Sequence, residues 1–95
     1  MNVVAHPRFA LGMVVMTRGA FFSLEEACVS PLELLQRHQS GDWGELDRED
    51  WRSNEEAIRF GYRLLSCYRL SNSETIWIIT EADRSSTTIL TPSEY

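Results

Sequence analysis

Apolar residues change their spacing twice along this chain of 95 residues, and the changes mark its elements. Ala10 to Thr17 (ALGMVVMT) is a short apolar run containing valines, the pattern of a mostly buried strand. From Arg18 the spacing opens: Ala20, Phe21, Leu24 and Ala27 or Cys28 recur at helical intervals. Ser30-Pro31-Leu32-Glu33 is the clearest start signal in the chain. Serine caps the orphan N–H groups of a first turn, proline is preorganised for the first helical position, and glutamate three residues on completes a capping box. The helix it starts carries Leu32, Leu35 and His38 or Gln39 on one side and should stop at Ser40-Gly41, where glycine allows a left-handed closing turn. Asp47 is placed to cap a third helix running to about Phe60, with Trp51, Asn54, Ala57, Ile58 and Gly61 on one core-facing arc. Glu49, Arg52, Ser53, Glu56 and Arg59 face the other way. A buried amide needs partners, so Asn54 is expected to tie its helix to a neighbouring loop such as the GDWG turn.

At Tyr62 the period becomes two. Leu64, Tyr68 and Leu70 fall on one face of a strand, Arg63 and Arg69 on the other. Ser71-Asn72-Ser73 is turn chemistry, Thr75 to Thr80 (TIWIIT) is rich in β-branched residues, and Ala82-Asp83-Arg84-Ser85 turns into Thr87 to Thr91. The expected architecture is a single α+β domain over 1–95, β-α-α-α-β-β-β, with an antiparallel sheet and three short helices on one face. Residues 1–9 are expected to form a loosely ordered arm.

Composition supports a globular domain, with 43% hydrophobic and 24% charged residues. Charge changes the picture more. The net charge is −5, and the window Asp42–Glu56 carries all of it, with Asp42, Glu45, Asp47, Glu49, Asp50, Glu55 and Glu56 against Arg48 and Arg52. Such a balance disfavours direct nucleic-acid binding, where affinity comes mostly from neutralising phosphates. Cys28 and Cys67 fit no metal spacing and are expected as two buried or half-buried thiols in a reducing compartment. No cofactor, metal or membrane contact is expected. Residues 1–16 lack a basic leader and an apolar run long enough to span a bilayer, so the cytoplasm is the expected compartment.

Four places could carry chemistry. In RHQSGDWGEL, His38 and Asp42 could form an acid–base pair and Trp43 a stacking platform, or the stretch is a helix closure with Trp43 folded inward as a plug. Glu81-Ala82-Asp83-Arg84-Ser85-Ser86 offers two acids, an arginine and hydroxyls, or an ordinary hairpin turn. Arg63, Tyr68, Arg69 and Arg84 could form a sheet-face site like that of small toxin-type endoribonucleases, whose outline is similar, although those tend to be basic. The acids of Asp42–Glu56 could instead present a negative surface to a basic partner.

The segments SPLELLQRHQSGDWGEL, RLLSCYRL, IWIITEADRSSTTIL and PSEY resemble a family of short bacterial proteins labelled "plasmid-related", found on plasmids, integrative elements and phage-derived islands. The resemblance runs from about residue 10 to Tyr95; TRGA stands where that family has TPGA, and TILTP where it has TILLP. It implies an accessory role in conflict between mobile elements and their hosts and no established reaction. The leading expectation is thus a non-enzymatic acidic protein that inhibits or modulates a nucleic-acid-handling or defence complex, of the anti-CRISPR or anti-restriction type. Asp42, Trp43, Glu45, Asp47, Glu49, Asp50 and Glu56 would contact a host or mobile-element protein with a basic surface. The alternatives are a small endoribonuclease or phosphoester hydrolase using His38 or Arg84, and a homodimeric module paired through a sheet edge.

Overall fold

The computed structural model describes residues 6–95. They form an α+β domain with β1 (Met13–Met16), α1 (Arg18–Ala27), α2 (Pro31–Ser40), α3 (Arg48–Phe60), β2 (Leu64–Arg69), β3 (Thr75–Thr80), β4 (Ser86–Leu90) and a closing 3-10 turn (Pro92–Glu94). The expected element order is the observed one. The sheet, however, is mixed: β2, β3 and β4 make an antiparallel meander, whereas β1 joins β4 in parallel, giving the order β1-β4-β3-β2. The three helices fill the long crossover between β1 and the meander, which leaves the sheet edge at β4 open to receive β1.

The helices start and stop where their side chains satisfy orphan backbone groups. Thr17, Ser30 and Asp47 accept from Ala20, Leu32 and Asp50 N–H, and Cys28, Gly41 and Gly61 close the three helices in left-handed conformations. Ser30 thus bonds the second helical N–H, not the third that a capping box uses. The buried side of α2 is Leu34, Leu35 and His38, and Leu32 is exposed, contrary to the expected stripe. At 100° per residue Leu34 sits roughly 40° from His38 and Leu32 roughly 120° away, so burying the imidazole turns Leu32 outward. Likewise Phe21 lies outside the core, which α1 reaches through Ala20 and Leu24.

The main core joins Ala20, Leu24, Leu34 and Leu35 to Tyr68, Leu70, Ile76, Ile78 and Ile89 on the inner sheet face. A second cluster, Trp43, Ala57 and Leu64 with Phe9, Leu46, Trp51 and Ile58 around it, seats α3. β1, expected to be mostly buried, is mostly exposed, because an edge strand has a neighbour on one side only. The loose arm expected over 1–9 includes residues outside the described ones, but Arg8 and Phe9 are anchored. Arg8 holds Glu55 through two bonds and donates its N–H to Gln39 O, and Gln39 Nε2 donates to Phe9 O at 2.8 Å.

Both cysteines are free thiols; Cys67 is half-buried, and Cys28 is exposed at the left-handed end of α1. Among the described residues, no helix is long and apolar enough to cross a membrane.

Candidate functional site

The stretch Gly41-Asp42-Trp43-Gly44 is a structural joint. Gly41 (φ 91°) reverses the chain after α2, and Asp42 turns its carboxylate back to Arg37 Nε at 2.7 Å, not to His38. The Asp42 carbonyl accepts from Tyr68 Oη at 2.7 Å. Trp43 is fully buried, stacked on Phe9, with its Nε1–H donating to Glu55 at 3.1 Å. It therefore offers no surface to a base or, contrary to expectation, to a partner. Gly44 (φ 76°) passes so close to β2 that a Cβ would run into the Cys67 carbonyl and the Tyr68 ring. There the loop pairs with the strand, Cys67 N–H donating to Trp43 O at 3.1 Å and Glu45 N–H to Cys67 O at 2.6 Å.

His38 is the centre of a buried polar chain. Its Nδ1 meets the Ser66 hydroxyl, its Nε2 lies 2.9 Å from Thr80 Oγ1, Thr80 Oγ1 lies 2.7 Å from Thr87 Oγ1, and Thr87 donates to Leu11 O at 2.7 Å. The last link sets the direction of the rest. A carbonyl only accepts, so Thr87 donates to Leu11, Thr80 to Thr87, and His38 Nε2–H to Thr80. Nδ1 is then the acceptor for Ser66 O–H, which assigns a neutral imidazole protonated on Nε2. Burial, aided by the nearby Arg84 charge, pushes the His38 pKa down to about 3. A hydroxyl donating to a neutral imidazole is the arrangement of an activated nucleophile. Here, however, Ser66 and His38 have no exposed surface, and Phe9 and Trp43 pack edge-on against the imidazole with centroids 5.2 and 5.6 Å away. The His38–Asp42 acid–base pair does not form, because the imidazole points into the sheet and Asp42 is taken by Arg37.

Arg84 is spent on carbonyl groups. Its guanidinium donates to Ala57 O (2.9 Å), Tyr62 O (2.6 Å), Glu81 O and Ala82 O (both 3.1 Å), so it closes α3 and braces its own turn. Arg63 pairs with Glu81 at 3.4 Å and Tyr95 Oη at 2.9 Å, and Tyr68 lies on the inner face under the Arg37 guanidinium. The sheet-face constellation of Arg63, Tyr68, Arg69 and Arg84 is thus split between two faces and a helix end. Among the described residues, no cluster of three metal-ligating side chains occurs.

The acids separate into two groups. Asp42 and Glu55 are consumed by Arg37 and Arg8, and the Arg8 guanidinium holds the Glu55 carboxyl below its usual range. Glu45, Asp47, Glu49, Asp50 and Glu56 are exposed and form no ion pair among the described residues. They form a run at the start and along the outer side of α3, bordered by the exposed Arg48, Arg52 and Arg59. Across the molecule, on the sheet face without helices, Arg63, Leu64, Leu65, Trp77, Ile79 and Tyr95 line an apolar trough of about 270 Å³.

Comparison with family models, curated proteins and solved structures finds no match for this chain.

Sequence reasoning passed over Ser66, Thr80 and Thr87. The signal was available: the two-residue alternation puts each on the same face as Leu64, Ile78 or Ile89, and hydroxyls on an apolar face call for a buried partner. Asn54, read correctly as a tie, binds β2 instead of the GDWG turn, giving Nδ2–H to Leu65 O at 2.7 Å and accepting Leu65 N–H at 3.1 Å.

Proposed function

We propose that this protein acts by binding another macromolecule, and that the acids Glu45, Asp47, Glu49, Asp50 and Glu56 form the contact. Within that reading it is an accessory protein of a mobile element that modulates a host nucleic-acid-handling or defence complex by covering a basic surface. One observation carries the choice. The candidate catalytic groups, His38 and Arg84, are used in internal bonds, whereas these five carboxylates stand in solvent without an internal cation among the described residues. Carboxylates held along α3 and at its start need little ordering on association, and complementary charge speeds encounter and selects the partner. The mobile-element setting is supported by the resemblance of the GDWG, TEADRSSTTIL and PSEY segments alone.

The experiment begins with a pull-down from the host cell to identify the partner, followed by titration of the wild type and of Glu49→Arg/Asp50→Arg/Glu56→Arg. Asp47 is spared because it caps α3. The triple variant should keep the wild-type circular dichroism and lose at least roughly tenfold in affinity, mostly through a slower and less salt-sensitive association. Unchanged binding by the folded triple variant overturns the reading.

A further inference from the structure

The two edges of the sheet are treated differently. At the β2 edge the backbone groups of Leu65 are taken by the Asn54 amide and those of Cys67 by Trp43 and Glu45, so that edge is closed by the chain itself. At the β1 edge nothing among the described residues pairs. Met13 and Thr17 donate their N–H groups to Ser85 and Ile89 on the β4 side, so the strand alternation turns the N–H and C=O of Val14 and Met16 outward. The open edge is also apolar. Met13 is 70% exposed, Val14 and Val15 are each 44% exposed, and Phe21 and Phe22 of the adjoining α1 are 43% and 54% exposed. The strand MVVM carries none of the lysines, prolines or inward charges with which open edges are ordinarily protected.

We propose that β1 is a self-association edge, which pairs antiparallel with β1 of a second copy to make one continuous eight-stranded sheet. The outward parity selects the register. Val14 of one copy faces Met16 of the other, and Val15 faces Val15 on the two-fold axis, because this pairing alone uses every outward group inside the strand. The axis is perpendicular to the sheet, so both helical layers lie on the same side and the Phe21 and Phe22 side chains flank one seam.

Charge agrees with a second copy as the occupant. Arg18 follows the C-terminal end of β1, and the turn bearing Asp83 lies at its N-terminal end, joined through the Met13–Ser85 bond. The two-fold sets the Arg18 end of each copy beside the Asp83 end of the other, and neither residue has an ion pair within its own chain among the described residues. Area sets a demand as well. A stable dimer buries about 800 Å² per partner, roughly an eighth of the 6123 Å² surface here. Four strand residues fall short of that, so Phe21 and Phe22 are required parts of the interface.

Sedimentation velocity over a hundredfold range of concentration tests this. The wild type should pass from monomer to dimer, and Val14→Lys should remain monomeric with unchanged circular dichroism and melting. A cysteine pair checks the register independently, should the lysine variant fold poorly. In a Cys28→Ser background with oxidised glutathione, Val15→Cys should give a disulfide-linked dimer, because a non-hydrogen-bonded antiparallel pair brings Cα atoms to about 4.5 Å. Met13→Cys, facing Thr17 of the other copy, should not. A wild type that stays monomeric throughout, a folded Val14→Lys that still dimerises, or Met13→Cys linking as readily as Val15→Cys each overturns the proposal.

Discussion

A single histidine shows how position decides chemistry. Four residues from an aspartate and at the end of a helix, His38 invites reading as an acid–base group, yet its imidazole is roofed by Phe9 and Trp43 and bonded to Ser66 and Thr80. Its pKa of about 3 in the fold, against an ordinary 6.5, makes it a stability group. The folded state keeps His38 neutral. Between pH 6.5 and 3 the unfolded chain therefore binds one proton more, and stability falls as pH falls through that window; above 6.5 the term is silent. The slope approaches about 1.4 kcal/mol per pH unit, so roughly 2.5 kcal/mol should be lost between pH 7 and 4.5. Urea unfolding at several pH values checks this, and His38→Gln should flatten the slope. A slope as steep in the variant as in the wild type would rule His38 out as its source. None of this was visible in RHQSGDWGEL, because the hydroxyls that capture the ring lie on β2 and β3. Trp43, by contrast, was legible as a plug, since a tryptophan between two glycines in a small domain is worth more buried than displayed.

At the scale of elements, what is encoded locally was legible. Caps and closing residues follow rules that operate over three or four positions, so Asp47 starting α3 and Gly41 ending α2 could be read directly. The buried stripe of α2 could not, because the rotation of a helix about its axis answers to the sheet beneath it. Asn54 stands between these cases: a lone amide on an apolar stripe announces a bond, but its partner is chosen by tertiary placement. Its paired bonds to Leu65 stand in for a neighbouring strand at the β2 edge, so Asn54→Ala leaves the N–H and C=O of half-buried Leu65 without their partners. The expected loss is about 2–4 kcal/mol, measurable by chemical denaturation. Hydrogen exchange at the Leu65 amide should accelerate in the same variant. A loss below about 0.5 kcal/mol, within the range of ordinary surface changes, would mean that water replaces the amide.

Over the whole molecule, the C-terminal turn is bound to the start of α1. The Glu94 carboxylate accepts from the Gly19 N–H at 2.9 Å, from the Thr91 N–H at 3.0 Å and from the Thr17 and Thr91 hydroxyls, and these bonds hold its pKa down to about 2. A depressed carboxyl stabilises the fold above its ordinary value near 4.5, and the contribution fades as pH falls through about 2. Glu94→Ala should therefore melt a few degrees below the wild type at pH 7, with the gap closing toward pH 2; a gap independent of pH would contradict the assignment. The mixed sheet was the global feature the sequence concealed. A four-residue apolar strand carries no mark of the direction of its neighbour, and the α+β layering is compatible with either. That parallel pairing, Met13 beside Ser86 through Met16 beside Ile89, has a consequence for biosynthesis. β1 leaves the ribosome ahead of β2, β3 and β4, and among the described residues its one partner strand, β4, is the last of these to be made, so it must wait until β4 emerges. The three helices between them can form on local contacts in the interval. Completion of the sheet is then a late, long-range step, and the MVVM segment is the part of the nascent chain most exposed to capture by chaperones or by a neighbouring copy on the same message.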